Sequence, residues 1–170
     1  TAYTPQALFH HLNKYTNPEP TTGNGYLIEL NTSTADGGIT AAIGDGTNLV
    51  YDSANKRGFG LNNNAWHHVV LVIQPASDIA IFYIDGVQAG ASFSISTVTG
   101  SINSAQPLKF GNLFTVYFPG SLDEPRISAI ARAADWIKTE YNNQSSPSSF
   151  YGYGAEDQQN RPSGTPGVKF

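Results

Sequence analysis

Two pairs of adjacent histidines, His10-His11 and His67-His68, and one pair of adjacent carboxylates, Asp123-Glu124, are the residue types here that invite chemistry. In an extended strand neighbouring side chains point to opposite faces, so neither histidine pair can place both rings on one metal ion. No cysteine and no Glu-rich spacing supports a zinc site, and the histidines are expected to be scaffold. Asp123 and Glu124 also face opposite ways. Glu124 shares a face with Arg126, which is the placement of a half-exposed ion pair. A retaining glycosidase needs two carboxyls about 5–5.5 Å apart, which on a strand means same-face spacing. No Glu-x-Asp-x-Glu stretch occurs, Glu29 stands alone in its strand, and there is no G-x-S-x-G turn for a nucleophilic serine. The chain is expected not to be an enzyme. Asp36, Asp45 and Asp52 sit in turn contexts that Asx-turn geometry explains.

Sugar recognition on a β-sandwich relies on aromatic rings beside amides and carboxylates. Tyr15, Tyr51, Phe59 and Tyr117 lie in or next to loops, and Tyr51 with Asn48 and Asp52 forms the candidate ligand site. Against this, nine Tyr and nine Phe can all be absorbed by a core. Asn31-Thr32-Ser33 and Asn143-Gln144-Ser145 are formal glycosylation sequons.

These residues must be positioned by strands. Val69 to Ile73 and Ile79 to Ile84 are apolar runs around a polar connection, Gln74 to Asp78, and read as an antiparallel hairpin. Neither run alternates cleanly, so both faces of the hairpin are expected to be covered, as at the centre of a two-layer sandwich. Asp85-Gly86 supplies a tight turn into a further hairpin. Ahead of this centre, Ala7-Leu8-Phe9 reads as an edge strand, followed by a long loop to Gly25. Tyr26 to Asn31, Ile39 to Ile43 and Leu49 to Tyr51 read as strands, with Lys56 to Leu61 a weak one. Beyond it come Val87 to Ala89, Ser92 to Val98, Leu108 to Gly111, Leu113 to Phe118 and Ser121 to Ser128. Short strands at intervals of about 8–12 residues with Gly and Asn punctuation are the sandwich pattern. The one helix is expected over Ala131 to Tyr141, docking through Ala133, Ile137 and Tyr141 and stopped by Asn142-Asn143 and Pro147.

A chain of 170 residues is one domain's length and buries roughly 70% of its unfolded surface without staples. The absence of cysteine therefore says nothing of redox compartment. Nine basic against thirteen acidic residues, a formal charge of −4 spread without runs, argue against nucleic acid or an anionic membrane as partner. Charged residues are 13% of the chain against about 25% in an average soluble domain. Asn, Ser, Thr and Gly take the surface instead, as in extracellular all-β modules. No stretch approaches the ~20 apolar residues of a membrane span. A chain that begins at Thr1 and holds no Met is expected to be a processed or excised piece of a secreted protein.

Several stretches together resemble a known family. Asn64-Ala65-Trp66-His67-His68-Val69-Val70 followed by Phe82-Tyr83-Ile84-Asp85-Gly86-Val87 is similar to the "W-H-H-V … Y-V-D-G" core of LamG-like, concanavalin A-like jelly rolls. Phe118 to Ser128, reading FPGSLDEPRIS, resembles that family's "G-x-I-D-E-V-R-I" strand. Ala131-Arg132 through Gln144 resembles the helix that closes one bacterial branch. The resemblance implies an all-β fold, a two-sheet antiparallel jelly-roll sandwich with one short C-terminal helix, over residues 1–156, with 157–170 as a Pro/Gly-rich tail. It implies a secreted or cell-surface bacterial setting and a glycan or protein ligand, or, from a different class, a structural subunit of an extracellular filament or pilus. It also implies a structural Ca²⁺ held through Asp123 and main-chain oxygens, since calcium takes six to eight oxygen ligands. One departure matters. The family's leading "F-T-I-S-x-W-V-K" strand is missing or shrunk to Thr1 to Gln6. A jelly roll without it exposes a row of backbone groups. Two expectations follow: the sequence starts after that strand, or the edge at Ala7, Leu8 and Phe9 is the interface for a strand from another polypeptide or for copies of the chain.

Overall fold

Runs of β-branched and aromatic residues separated by glycine and asparagine become strands joined by tight turns in the computed structural model, which describes residues 5–14, 22–31, 37–52, 58–113 and 115–150. In chain order the strands are β1 (Pro5–His10), β2 (Asn24–Asn31), β3 (Gly38–Asp45), β4 (Leu49–Tyr51), β5 (Val69–Gln74), β6 (Ile79–Ile84), β7 (Val87–Ser94), β8 (Lys109–Phe110), β9 (Asn112–Leu113) and β10 (Val116–Tyr117). Helices α1 (Ala134–Ser145) and α2 (Pro147–Phe150) follow. One sheet has the order β4-β3-β2-β1-β8, a second has β5-β6-β7, and β9 with β10 forms a small ribbon. All the strand pairs are antiparallel.

The period-two alternation of a strand explains where the core lies. Ile39 and Ala41 of β3, with Leu8 and Ile28, face Phe82 and Ala89 of the second sheet. Ile43 meets Ala80 and Ile95. On the other face of the same sheet Ala42, Leu27, Ala7 and Leu12 gather with Leu113 of β9 and are flanked by Leu49 and Tyr51. Both faces are covered, so seven consecutive residues of β3 are buried. The second sheet is also covered twice. Its outer residues Val72, Ile81 and Tyr83 pack under Ile137 of α1. The double burial expected of the central hairpin is present.

The turn between β6 and β7 holds Asp85 and Gly86 at φ 52° and 75°, the left-handed pair that a type I′ hairpin requires. A Cβ on Gly86 would stand 3.1 Å from Tyr141 Cδ1 and 3.2 Å from Lys138 Cα. Glycine here serves both the turn and the docking of α1.

Several expectations are corrected. Strand β1 is not an edge: it is bonded to β2 on one side and to β8 on the other. A bulge between Ala7 and Phe9 lets Leu8 and Phe9 both turn toward the core. Ala7 and Leu8 are buried, and Phe9 meets Phe110 edge to face at 5.0 Å. The opening expected at Ala7, Leu8 and Phe9 is therefore closed by the chain's own sheet. β7 is one strand where two were expected, and Leu113 to Phe118 divides into β9 and β10. In the described part of Lys56 to Leu61 only a single bridge, Gly38 to Gly58, forms. Ser121 to Ser128 forms no strand, and every residue from 121 to 130 is exposed. Helix α1 runs through Asn142-Asn143 to Ser145, and Pro147 opens α2 instead of ending the helical region, because proline is tolerated in a first helical turn. Tyr15, Asp36 and the tail 157–170 lie outside the described residues.

Candidate functional site

The histidine pair at the entry to β5 is divided between two networks, as strand geometry requires. His67 Nδ1 lies 2.8 Å from Asp85 Oδ2, and its Nε2 lies 3.1 Å from Asn63 Oδ1. His68 donates its N–H to Asp85 Oδ1 at 2.9 Å, and Asp85 returns its own N–H to the His68 carbonyl at 2.9 Å. The turn aspartate thus clasps the preceding strand by side chain and main chain together. The His68 ring turns the other way, with Nε2 3.8 Å from Glu140 Oε2 on α1. Burial pushes the pKa of His68 down; Glu140 and then Asp85 oppose the shift, and Arg126 adds to it.

Glu140 also accepts a hydrogen bond from Arg126, whose other terminal nitrogen reaches Glu124. Gln144 donates to the same Glu124 oxygen at 3.0 Å. The expected Glu124–Arg126 pair is present, and it ties residues 124–126 to the helix. Asp123 Oδ1 accepts the N–H of Glu124 at 2.9 Å. The side chains here bring one carboxylate, Asp123, that is not already bonded to a cation. Among the described residues no group of three or more His, Asp and Glu converges to hold a metal. A calcium ion at Asp123 would have to draw the rest of its oxygen shell from main-chain carbonyls.

The candidate ligand trio is not one exposed surface. Asn48 is exposed in the turn after β3, but its N–H is donated to Asp45 Oδ1 at 2.7 Å. The Tyr51 hydroxyl points inward and donates to Glu29 Oε1 at 2.7 Å, where Thr40 Oγ1 also donates at 3.2 Å. Asp52 is only 2% exposed. The cross-strand register explains the cluster: Glu29 pairs with Thr40 and Ala42 pairs with Tyr51, so a fully buried carboxylate meets two hydroxyls on the outer face of the first sheet. Phe59 packs against the main core. Of the loop aromatics considered, Tyr117 on β10 is open, at 71% exposure.

Two features escaped sequence reasoning. Asp45 reaches beyond its own turn to the amides of Thr99 and Gly100; an Asx turn announces the local half of this clamp but not the remote half. The other is the side of the second sheet at β5. Trp66, beside it, is 70% exposed. An uncharged VVLVIQ run was the available signal, but an edge strand and an interior strand can share such a composition.

The described residues thus form a double-layered antiparallel sandwich with a helix on one outer face. The family model for the Laminin_G_3 group of the concanavalin A-like lectin/glucanases superfamily matches residues 2–138, and the chain belongs to this family. No curated protein matches it. Among solved structures, the chain is similar to the crystal structure of an S-layer domain-containing protein from Clostridium thermocellum, at 19% identity and a TM-score of 0.38. The match covers 75% of this chain and 59% of that one. Among the described residues no helix is long and apolar enough to cross a membrane.

Proposed function

We propose that the chain is a non-catalytic module of a secreted or surface-exposed protein that binds a carbohydrate or a protein partner. The observation that carries this reading is the engagement of the carboxylates. Glu29 is buried against Thr40 and Tyr51, Asp45 is held by main-chain amides, and Asp85 is held by His67 and His68. Glu124 and Glu140 share Arg126. A glycosidase needs a carboxyl free to pass a proton and a second one facing the same bond; these five are occupied in holding the fold. For a glycan ligand, the exposed ring of Tyr117 is the stacking surface to test, since aromatic faces supply the apolar half of sugar recognition. Incubation with a panel of polysaccharides is expected to release no reducing ends, and any release would sink the non-catalytic reading. On a glycan array, binding to one glycan class that is lost in Tyr117→Ala supports the carbohydrate arm. An empty array with capture of a defined protein ligand supports the protein arm.

A second reading, a structural subunit of an extracellular filament completed by another chain, draws support from β5, which ends its sheet among the described residues, and none from β1. Polymers seen by electron microscopy of the purified chain would favour it over the first. Structural calcium held through Asp123 is a separate proposal. It predicts a rise in melting temperature with added Ca²⁺ that is absent in Asp123→Asn.

A further inference from the structure

From 86 to 122 the chain holds one charged residue, Lys109. It stands exposed at the start of β8 and takes part in no ion pair among the described residues. Arg126, by contrast, is held between two carboxylates, and Arg132 lies over the Trp136 ring at 4.6 Å. The strand beside Lys109 adds no negative charge, since residues 5–14, PQALFHHLNK, contain no Asp or Glu. Glu29 on β2 is fully buried and bonded to Tyr51 and Thr40. The nearest carboxylate along the chain is Asp123, next to Leu122, which borders Gly111. A chain with a formal charge of −4 thus keeps an unneutralised ammonium on a stretch of neutral surface.

The register sets aromatic surface beside that charge. Lys109 pairs with His10 of β1, and Phe110 pairs with Phe9. Burial, and to a lesser extent the Lys109 charge, push the His10 pKa down, and the main chain of Asn112 borders the same ring. Lys109 and Asn112 therefore flank one buried side chain. On the β9–β10 ribbon Asn112 stands opposite Tyr117, and Leu113 opposite Val116. Leu113 is buried, so alternation turns Asn112 and Tyr117 together away from the core. Phe118 donates its N–H to the Gly111 carbonyl at 2.9 Å and continues the ribbon. Phe110, 43% exposed, is braced edge to face on Phe9. Three residues span at most about 10 Å and paired strands lie about 5 Å apart. The backbones of Lys109 and Tyr117 are thus within about 15 Å of each other, a distance that a short oligosaccharide covers.

We propose that Lys109, Phe110, Asn112 and Tyr117 form a subsite for an acidic polysaccharide, one whose sugar units carry carboxylates. The exposed rings take the apolar face of a sugar, and the ammonium takes the carboxylate of a neighbouring unit in a charge-assisted hydrogen bond. Lysine is a compact point charge, so it matches one carboxylate at a time. A densely sulfated chain brings more negative charge than a single ammonium, in a molecule of net charge −4, can balance. An acidic peptide offers the charge but no sugar face for Tyr117 to stack on. The inference rests on the carbohydrate arm of the reading above and names its ligand class.

The test is titration of the full chain with oligogalacturonate, oligomannuronate and oligoglucuronate at low salt, followed by NMR. At least one is expected to bind, with shifts confined to the amides of residues 109–112 and 116–118 and to the His10 ring. Lys109→Gln and Tyr117→Ala, both at exposed positions, should keep the parent spectrum elsewhere and each weaken binding about tenfold. Methyl esterification of the same oligosaccharide removes the charge, keeps the ring and should weaken binding as much. The proposal is overturned if none of the three binds, if the shifts fall elsewhere, or if polyglutamate or dextran sulfate binds as tightly. A neutral oligosaccharide that binds at Tyr117 without any dependence on Lys109 also overturns it and leaves the carbohydrate arm standing. Failure of every glycan, neutral or acidic, sinks that arm as well.

Discussion

Asp45 Oδ2 accepts the backbone N–H of Gly100 at 3.0 Å, across 55 residues of sequence. The same oxygen takes the Thr99 N–H at 3.1 Å, while Oδ1 takes those of Asn48 at 2.7 Å and Thr47 at 2.9 Å. One side chain therefore joins the β3–β4 turn to the loop that follows β7. The site is tight: a Cβ on Gly100 would stand 3.1 Å from Asp45 Cβ.

The amides of Asn48, Gly100, Thr47 and Thr99 stabilise the ionised form and hold the Asp45 carboxyl far below its usual 3.8. Below that value the unfolded chain takes up a proton that the folded chain refuses, so stability is lost as the pH falls through and beneath it. Asp45→Asn has one acceptor oxygen in place of two. It is expected to melt lower at neutral pH and to show a shallower further loss between about pH 4 and pH 2. Thermal melts across that range are the check; equal acid sensitivity in variant and parent would count against the clamp.

His68 is held neutral by burial, so its folded pKa lies below 6.5. On acidification the unfolded ring takes its proton first. The contribution to stability is complete above 6.5 and is lost as the pH falls through the window beneath it. Glu140 is the largest influence opposing the depression. Glu140→Gln should therefore move the His68 titration midpoint lower still, read from its ring proton shifts by NMR. A midpoint unmoved by the substitution would show that the two side chains are not coupled.

Ile137 is fully buried against Val72, Ile81 and Tyr83, so Ile137→Ala is expected to cost about 2–5 kcal/mol through lost contacts and the cavity left behind. Gly86→Ala meets both a left-handed backbone and the wall of α1, and should cost on the order of 1–3 kcal/mol. Urea denaturation measures both. If the two variants are no less stable than the parent, α1 is not docked where the structure has it.

Tyr51→Phe removes one hydrogen bond to the buried carboxylate of Glu29. A buried polar group that loses a bond costs about 1–3 kcal/mol, so a matching fall in unfolding free energy is expected. Binding of any glycan should survive, because the hydroxyl faces inward. Loss of glycan binding with unchanged stability would restore Tyr51 as a ligand contact.

The lesson from Ser121 to Ser128 and from β1 is the same. Period and composition describe what a segment can bury, not which neighbour is there to bury it. Ala7-Leu8-Phe9 looked like an open edge because nothing in the local sequence announces that Lys109-Phe110 will fold back beside it. SLDEPRIS looked like a strand, yet it pairs with no strand among the described residues. Asn48, Tyr51 and Asp52 are neighbours in sequence, but the hydroxyl of Tyr51 turns toward Glu29, 22 residues away.

Local pattern is enough for the antiparallel sandwich, the central hairpin with its Asp85-Gly86 turn, the docking of Ile137 and the division of the histidine pair. Each follows from local rules: side-chain alternation along a strand, helical spacing, and the positive φ that a two-residue hairpin imposes. Long-range packing sets which strand ends a sheet among the described residues, which carboxylates are engaged, and that Asp45 holds two loops together. Those depend on contacts between segments far apart in the chain, and no local pattern encodes a partner's position. The tertiary structure closes the edge at β1 and, among the described residues, leaves β5 at the end of its sheet.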